Sequence, residues 1–454
     1  MASTSSSPAP IRLSLATCIG WGTGSLAVAA LFNSVNVLLL RYLVDYVGIG
    51  ATLAGTLIGG SKLYDAIIDP VVGVASDRTR GKLGRRRPFL LVGGLMLAVA
   101  ALLLFNVPGT LRGGGAAVYV TLALLFYATA YALFSVPYMA MPAEMTTDPT
   151  ERSRLISFRI YAVAVASLIS TFVGPVLIAW AGGGQPGHTA MSIFVAVVIV
   201  AATLVSFRYT RDAAFHYGDT PVRISFGRKM TLLFTNRPFM LLLGIKLLQL
   251  TALAVTQAAT PFLFKRVLQL TDTMLGLYFL AFYGAMIVSQ RFWLRAAARF
   301  GKRDMYMYAT AVYGLCYLSW YFVAAGEPTV FVFVRALVLG TIGGAVLLFG
   351  QSLLPDTMEW DYRRTGLRRE GVLSAVYTMV EKLSYALGAA ITGILLGHAG
   401  YIKGAGAAPV VQPPSAIAAI YMLASILPML LLLASCVVLK FYDLSEAKLK
   451  ETHA

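Results

Sequence analysis

Apolar residues run along this chain in long windows, most of them near twenty residues wide, separated by short polar breaks. About 20 apolar residues is the length an α-helix needs to cross the hydrocarbon core of a bilayer. The windows predict twelve such helices, over 14–41, 51–75, 88–106, 116–141, 155–181, 190–207, 239–263, 273–293, 305–325, 330–353, 371–397 and 415–441. The first is long and rich in glycine, at Gly20, Gly22 and Gly24. The breaks alternate in character. Those at 78–87, 152–154, 208–237, 291–303 and 363–369 are basic, and those at 48–51, 107–116, 182–189, 326–329 and 397–415 are poor in charge. The basic set belongs on the cytoplasmic side, and an even number of crossings puts both termini there.

Composition agrees with a polytopic membrane protein. Of the 454 residues 58% are hydrophobic and 13% charged, against about 25% charged in soluble domains. Mean hydropathy is +0.74. The net charge of +17 sits in the short loops, as topology requires, so no nucleic-acid partner is expected. Cys18, Cys316 and Cys436 all lie in apolar runs without CxxC spacing, and no histidine has a second ligand at metal spacing. Neither a disulfide framework nor a structural metal is expected. Residues 1–8 lack the basic start of a secretory signal and read as a short tail.

The longest charged stretch, 208–238, divides the chain into a six-helix bundle over 1–207 and another over 239–454, with a cytoplasmic linker between them. The two parts echo each other. The segment Met141-Pro142-Ala143-Glu144-Met145-Thr146-Thr147-Asp148 follows the fourth span, and Leu354-Pro355-Asp356-Thr357-Met358-Glu359-Trp360-Asp361 follows the tenth. Pro, Met and Asp fall in one register, which points to a duplicated unit and to the parallel repeats of a major facilitator fold.

The chemistry concentrates in the second helix, on Asp65 and Asp69. An ionised group at bilayer depth costs roughly 2.5–3.5 kcal/mol, so two of them need compensation. Spaced i and i+4, they share a helix face, and Lys62 shares it too. The pair suits a bound cation, Na⁺ or a shared proton; alternatively Lys62 and Asp65 neutralise each other, which leaves Asp69 over. At the cytoplasmic mouth Asp77, Arg78, Arg85, Arg86 and Arg87 either mark topology or form an inner gate of ion pairs. Arg159 in the fifth span and Lys382 in the eleventh are candidates to face a central cavity. Arg159 alternatively snorkels to the headgroups. Lys382 cannot pair with its neighbour Glu381, because adjacent helix residues point apart. Lys246 and Arg335 are further charges in the spans, without an assigned role. Trp21, Tyr64, Phe134, Tyr138, Tyr377 and Tyr385 supply aromatic faces that can stack on a sugar ring, or simply pack.

These residues resemble the glycoside–pentoside–hexuronide:cation symporters, the melibiose permease-like family of the major facilitator superfamily. The resemblance covers nearly the whole chain. It rests on Asp65-Ala66-Ile67-Ile68-Asp69-Pro70, on 76–88, on Val136-Pro137-Tyr138 with Pro142-Ala143-Glu144, and on the run from Pro355-Asp356 through Arg368-Arg369-Glu370-Gly371. It implies a coupling cation, H⁺ or Na⁺, on Asp65 and Asp69, with Arg159 and Lys382 lining the substrate cavity. Tyr138 and Trp21 join them as candidate substrate contacts. The chain departs from the family at three places. Ser135 and Met139 stand where the melibiose permease has an aspartate and a tryptophan, and 20–32 holds no first-helix aspartate. Galactoside specificity is therefore not implied, and the loss of an acid favours H⁺.

The expectation is an all-α secondary transporter with twelve transmembrane helices, coupling H⁺ or Na⁺ to a sugar or glycoside. It works as a monomer in a bacterial inner membrane, without a cofactor. A carrier of lysolipids or other amphiphiles is the alternative. No GxSxG, HExxH or GxxxxGK[ST] pattern appears, so no enzyme or ATP-driven pump is expected.

Overall fold

The computed structural model describes residues 13–81, 83–146, 148–211, 235–366, 370–404, 410–442 and 444. Twelve helical rods account for almost all of them. The first six are α1 (Leu15–Ser34, continued by Val35–Leu39 and Tyr42–Tyr46), α2 (Ala51–Arg78), α3 (Arg87–Phe105), α4 (Gly114–Met145), α5 (Pro149–Leu168, running through Ile169–Val173 into Gly174–Trp180) and α6 (Gly184–Tyr209). The last six are α7 (Arg237–Phe262, extended by Leu263–Val267), α8 (Asp272–Phe300), α9 (Lys302–Tyr317, then a tighter turn over Leu318–Phe322), α10 (Thr329–Thr365), α11 (Glu370–His398) and α12 (Pro414–Tyr421, Met422–Ile426 and Leu427–Lys440). Of the expected linker over 208–238, residues 212–234 lie outside the described residues.

By length and composition, ten of the described helices can cross a membrane. The other two are instructive. Helix α2 carries Lys62, Asp65 and Asp69 within its apolar run, and α9 has only 16 residues before it tightens. Several helices outrun their predicted spans. The hydropathy pattern stops α2 at 75, α4 at 141, α8 at 293 and α10 at 353, whereas the rods continue to Arg78, Met145, Phe300 and Thr365. A helix keeps its internal hydrogen bonds when it leaves the lipid, so apolar length sets where it is buried and not where it ends. All four extensions project toward the basic loops.

Four rods contain wider turns with i→i+5 hydrogen bonds: Val35–Leu39 and Tyr42–Tyr46 in α1, Ile169–Val173 in α5, Leu263–Val267 in α7 and Met422–Ile426 in α12. Such turns redirect a helix and recur at functional positions. In all four rods they lie nearer the charge-poor end.

Packing separates the rods into two groups. Helix α1 lies against α5 and α6, α3 against α4 and α6, and α2 against α4. In the other group α7 lies against α11 and α12, α8 against α10, and α9 against α10 and α12. Two long seams join the groups, α2 along α11 and α5 along α8. The first is closest at glycines. A Cβ on Gly393 would sit 2.4 Å from the Ala51 carbonyl oxygen and 2.7 Å from the Gly55 Cα, so only hydrogen fits there. Small residues let membrane helices approach this closely.

Candidate functional site

The α2–α11 seam carries the charged residues. Going inward from the Gly55–Gly393 contact, α2 turns Lys62, Asp65 and Asp69 into the interior, as the i, i+3, i+7 spacing dictates. Lys382 on α11 donates a hydrogen bond to Asp69 Oδ2, joining the two groups of helices. The pair is partly open, with the Asp69 side chain 25% and the Lys382 side chain 13% exposed. Lys62 Nζ lies 3.9 Å from Asp65 Oδ2, and both side chains are buried. Each aspartate thus has its own lysine, one from the same helix and one from the opposite group.

Neither carboxylate is saturated. Asp65 Oδ1 and Asp69 Oδ1 are buried and have no hydrogen-bond donor among the described residues, and the Tyr127 hydroxyl is likewise without a partner. Aromatic rings surround the lysines. Lys62 Nζ sits 5.0 Å from the Phe32 ring centre, 4.9 Å from Tyr127 and 5.9 Å from Tyr131. Lys382 Nζ sits 5.5 Å from Tyr131. The negative faces of those rings hold the ammonium groups where water is scarce. Phe32 also meets Tyr385 of α11 edge-on, with ring centres 4.9 Å apart.

Lys382 and Glu381 do project apart, as expected. Glu381 turns toward α7, where Lys246 Nζ lies 3.5 Å from its Oε1. Lys246 also rests 5.0 Å over the Tyr377 ring. Consecutive residues of α11 therefore bind opposite neighbours, α2 through Lys382 and α7 through Glu381. The sequence showed both charges at membrane depth, but not that Lys246 and Glu381 meet.

Arg159 makes no ion pair among the described residues. It is half-buried, beside the point where α5 meets α1, since a Cβ on Gly22 would touch the Phe158 backbone at 2.9 Å. Trp21 and Tyr138 are buried and stacked on each other, ring centres 4.8 Å apart and planes 12° from parallel. The Tyr138 hydroxyl donates to the Trp21 carbonyl oxygen at 2.6 Å. In this conformation both rings face protein.

The charged residues at the basic-loop end of α2 do form ion pairs. Asp77 Oδ1 accepts from Arg85 and Arg86, each at 2.6 Å. Arg86 also holds Glu144 at 2.8 Å and donates to Ser76 Oγ at 2.5 Å. All of these belong to α2, α4 and the loop before α3, so the cluster ties the first six helices to one another. Arg78 is exposed, with no ion pair among the described residues. Glu144 was named in sequence only as part of a motif, and distance along the chain hid its pairing with Arg86. Among the described residues no group of three or more His, Cys, Asp or Glu is placed to hold a metal ion.

Comparison with known proteins bears directly on this arrangement. The family described as MFS/sugar transport protein matches residues 20–446. The glucuronide carrier protein homolog of Escherichia coli K12 is 28% identical over 449 residues, covering 97% of this chain and 95% of that protein. The inner membrane symporter YicJ of the same organism is 25% identical over 448 residues, covering 96% and 94%. The crystal structure of the nucleoside transporter NupG superposes with a TM-score of 0.62 at 12% identity, over 94% of this chain and 98% of that one, which establishes the major facilitator fold. With ion pairs at membrane depth, two packed groups of six helices and a match along nearly its full length, the chain belongs to the MFS/sugar transport protein family, and is an integral membrane transporter of small molecules, not an enzyme.

Proposed function

We propose that this protein couples inward movement of H⁺ or Na⁺ to uptake of a sugar or glycoside, by rocking residues 1–207 against 239–454 about a site at mid-membrane depth. The observation that carries this reading is the Asp69–Lys382 pair across the two groups of helices, with a buried carboxylate oxygen left over on Asp69. A cation arriving at Asp69 competes with Lys382. The ammonium group it releases is then available to substrate hydroxyls, beside Tyr131. Loading thereby exchanges one compensated charge for another. An empty carrier keeps Asp69 paired with Lys382, a fully loaded one satisfies both, and a half-loaded one leaves a charge to be carried bare through the closed state.

In this reading Asp65, held by Lys62 on its own helix, completes the cation site. Arg159 orients the substrate from α5, with Trp21 and Tyr138 behind it, and the Asp77, Arg78, Arg85 and Arg86 cluster guards the cytoplasmic mouth. The working unit is a monomer in a bacterial inner membrane, with both termini in the cytoplasm. The glucuronide carrier homolog and the sugar-transport family description favour a glycosidic substrate.

The test is uptake by proteoliposomes of a panel of labelled sugars, glycosides and hexuronides, under imposed Na⁺ or pH gradients, with wild type beside Asp69→Asn. Accumulation driven by one gradient and lost in Asp69→Asn is the expected result, and the effective gradient names the ion. Accumulation that ignores both gradients, or that survives Asp69→Asn unchanged, overturns the coupling mechanism. If folded wild type moves no member of the panel, sugar specificity falls and lysolipids are assayed next.

A further inference from the structure

At the charge-poor end of the molecule three buried charges, the half-buried Arg266 and a tyrosine are shared between the two groups of helices. Arg41 and Asp45 lie in the last turns of α1, each 4% exposed. Asp272 opens α8, Arg266 lies in the wide turn ending α7, and Tyr401 follows α11. Arg41 reaches across to Asp272, through Nη1 to Oδ1 at 2.5 Å and Nη2 to Oδ2 at 3.4 Å. Arg266 reaches back to Asp45, Nη2 to Oδ1 at 3.0 Å. The Tyr401 hydroxyl donates to the same Asp45 oxygen at 2.8 Å and accepts from Arg266 Nε at 2.9 Å.

The opposite end differs. There Asp77, Arg85, Arg86 and Glu144 pair within the first six helices, while Lys302 with Asp356 and Arg363 with Glu359 pair within the last six. Apart from Asp69–Lys382, the ion pairs joining the two groups among the described residues are thus both at the charge-poor end. With the Gly55–Gly393 contact beside them, they hold that end shut.

A shut end that must reopen poses a problem, since separating buried ion pairs leaves costly bare charges. The arrangement contains an answer. Arg41 Nε also lies 3.7 Å from Asp45 Oδ2, one turn along its own helix. Arg266 keeps Tyr401 on its own side, and Asp272 has Lys265 within electrostatic reach on its own side. Each charge therefore has an ionic partner across the seam and a second group on its own side, which for Arg266 is a neutral hydroxyl.

We propose that Arg41, Asp45, Arg266 and Asp272 form a partner-exchange latch that closes the extracellular end of the transport path. Closed, the pairs are Arg41–Asp272 and Asp45–Arg266. Open, Arg41 pairs with Asp45 and Asp272 turns to Lys265, while Arg266, the most exposed of the four, keeps the Tyr401 hydroxyl, so no fully buried charge is stranded. The latch is a two-state element in which small changes of pairing select one of two packings. It operates whichever solute the protein carries, so it stands apart from the substrate assignment.

The experiment needs no substrate. Spin labels go on Val118→Cys and Val330→Cys, two exposed positions at the charge-poor ends of α4 and α10, with Cys18, Cys316 and Cys436 replaced by alanine. Pulsed electron–electron distance measurements in lipid nanodiscs then report how far apart the two groups stand. The wild-type sequence gives mainly a short distance. Asp272→Asn breaks one cross-seam pair, leaves the Arg41–Asp45 fallback intact, and raises the open, long-distance population roughly tenfold. Asp272→Glu, which keeps the charge, stays closed. Arg266→Gln is the second opening variant, should Asp272→Asn not fold. A folded Asp272→Asn or Arg266→Gln protein with the wild-type distance distribution overturns the latch, as does an Asp272→Glu protein that opens as far as Asp272→Asn.

Discussion

Removing Asp69 alone should harm the protein more than removing Asp69 and Lys382 together. Asp69→Asn leaves the Lys382 ammonium at membrane depth, 13% exposed, with Tyr131 beneath it and no carboxylate against it. For two charges in contact, roughly 3 Å apart at an effective dielectric of about 20, Coulomb's law gives roughly 5 kcal/mol of gross attraction. Desolvating both groups offsets much of that, and the partial exposure of Asp69 offsets more. The expected net loss for Asp69→Asn is about 2–3 kcal/mol, with a similar loss for Lys382→Met. The double variant strands no charge and should lie within about 1 kcal/mol of wild type, so the two single losses, together about 4–6 kcal/mol, give a coupling energy of about 3–6 kcal/mol, which includes the penalty of the charge each single variant strands. Reversible unfolding in mixed detergent micelles, run on all four proteins, measures the cycle. Single losses that simply add in the double variant would refute the reasoning, because the two groups would then be stabilised by separate partners.

Two further outcomes follow from the same geometry. Gly393→Ala places a methyl group 2.4 Å from the Ala51 carbonyl oxygen, an overpacking that typically costs about 1–3 kcal/mol. That exceeds the gain of roughly 1 kcal/mol from alanine in a helix. The variant should therefore be less stable and should lengthen the distance between positions 118 and 330; equal or greater stability would show that the seam has room. Arg86→Gln withdraws the main partner of Glu144 and one of the two partners of Asp77, with Arg85 left 3.9 Å from Glu144 as a weaker substitute. A loss of about 2 kcal/mol in the unfolding assay is expected. An unchanged unfolding curve would reduce the cluster to a topology signal.

The candidate site was legible in sequence to the extent that single residues carry a cost. Asp65, Asp69, Lys382, Lys246 and Glu381 stood out because each interrupts an apolar window, and a charge there needs a reason. The i, i+3, i+7 spacing further placed Lys62, Asp65 and Asp69 on one face, and helix geometry separated Glu381 from Lys382. What those charges face was not legible. The partners of Asp69 and Glu381 come from helices far away in the chain, and the rings around Lys62 come from α1 and α4, whose aromatics look like ordinary packing residues when read alone.

The hydrophobic pattern by itself determined that the chain is helical, that it crosses a membrane, how many rods it makes and which loops are basic, because lipid leaves backbone amides no partner except their own helix. It also determined which residues must be compensated. The tertiary structure alone decided how they are compensated. Arg41, Asp45, Arg266 and Asp272 lie at the edges of their windows, where charges are unremarkable, and become a latch only because α1, α7, α8 and the end of α11 converge there. Helix formation is local and leaves its signature in a window of twenty residues. The choice of partner across a seam depends on which two surfaces meet, and no local window contains both.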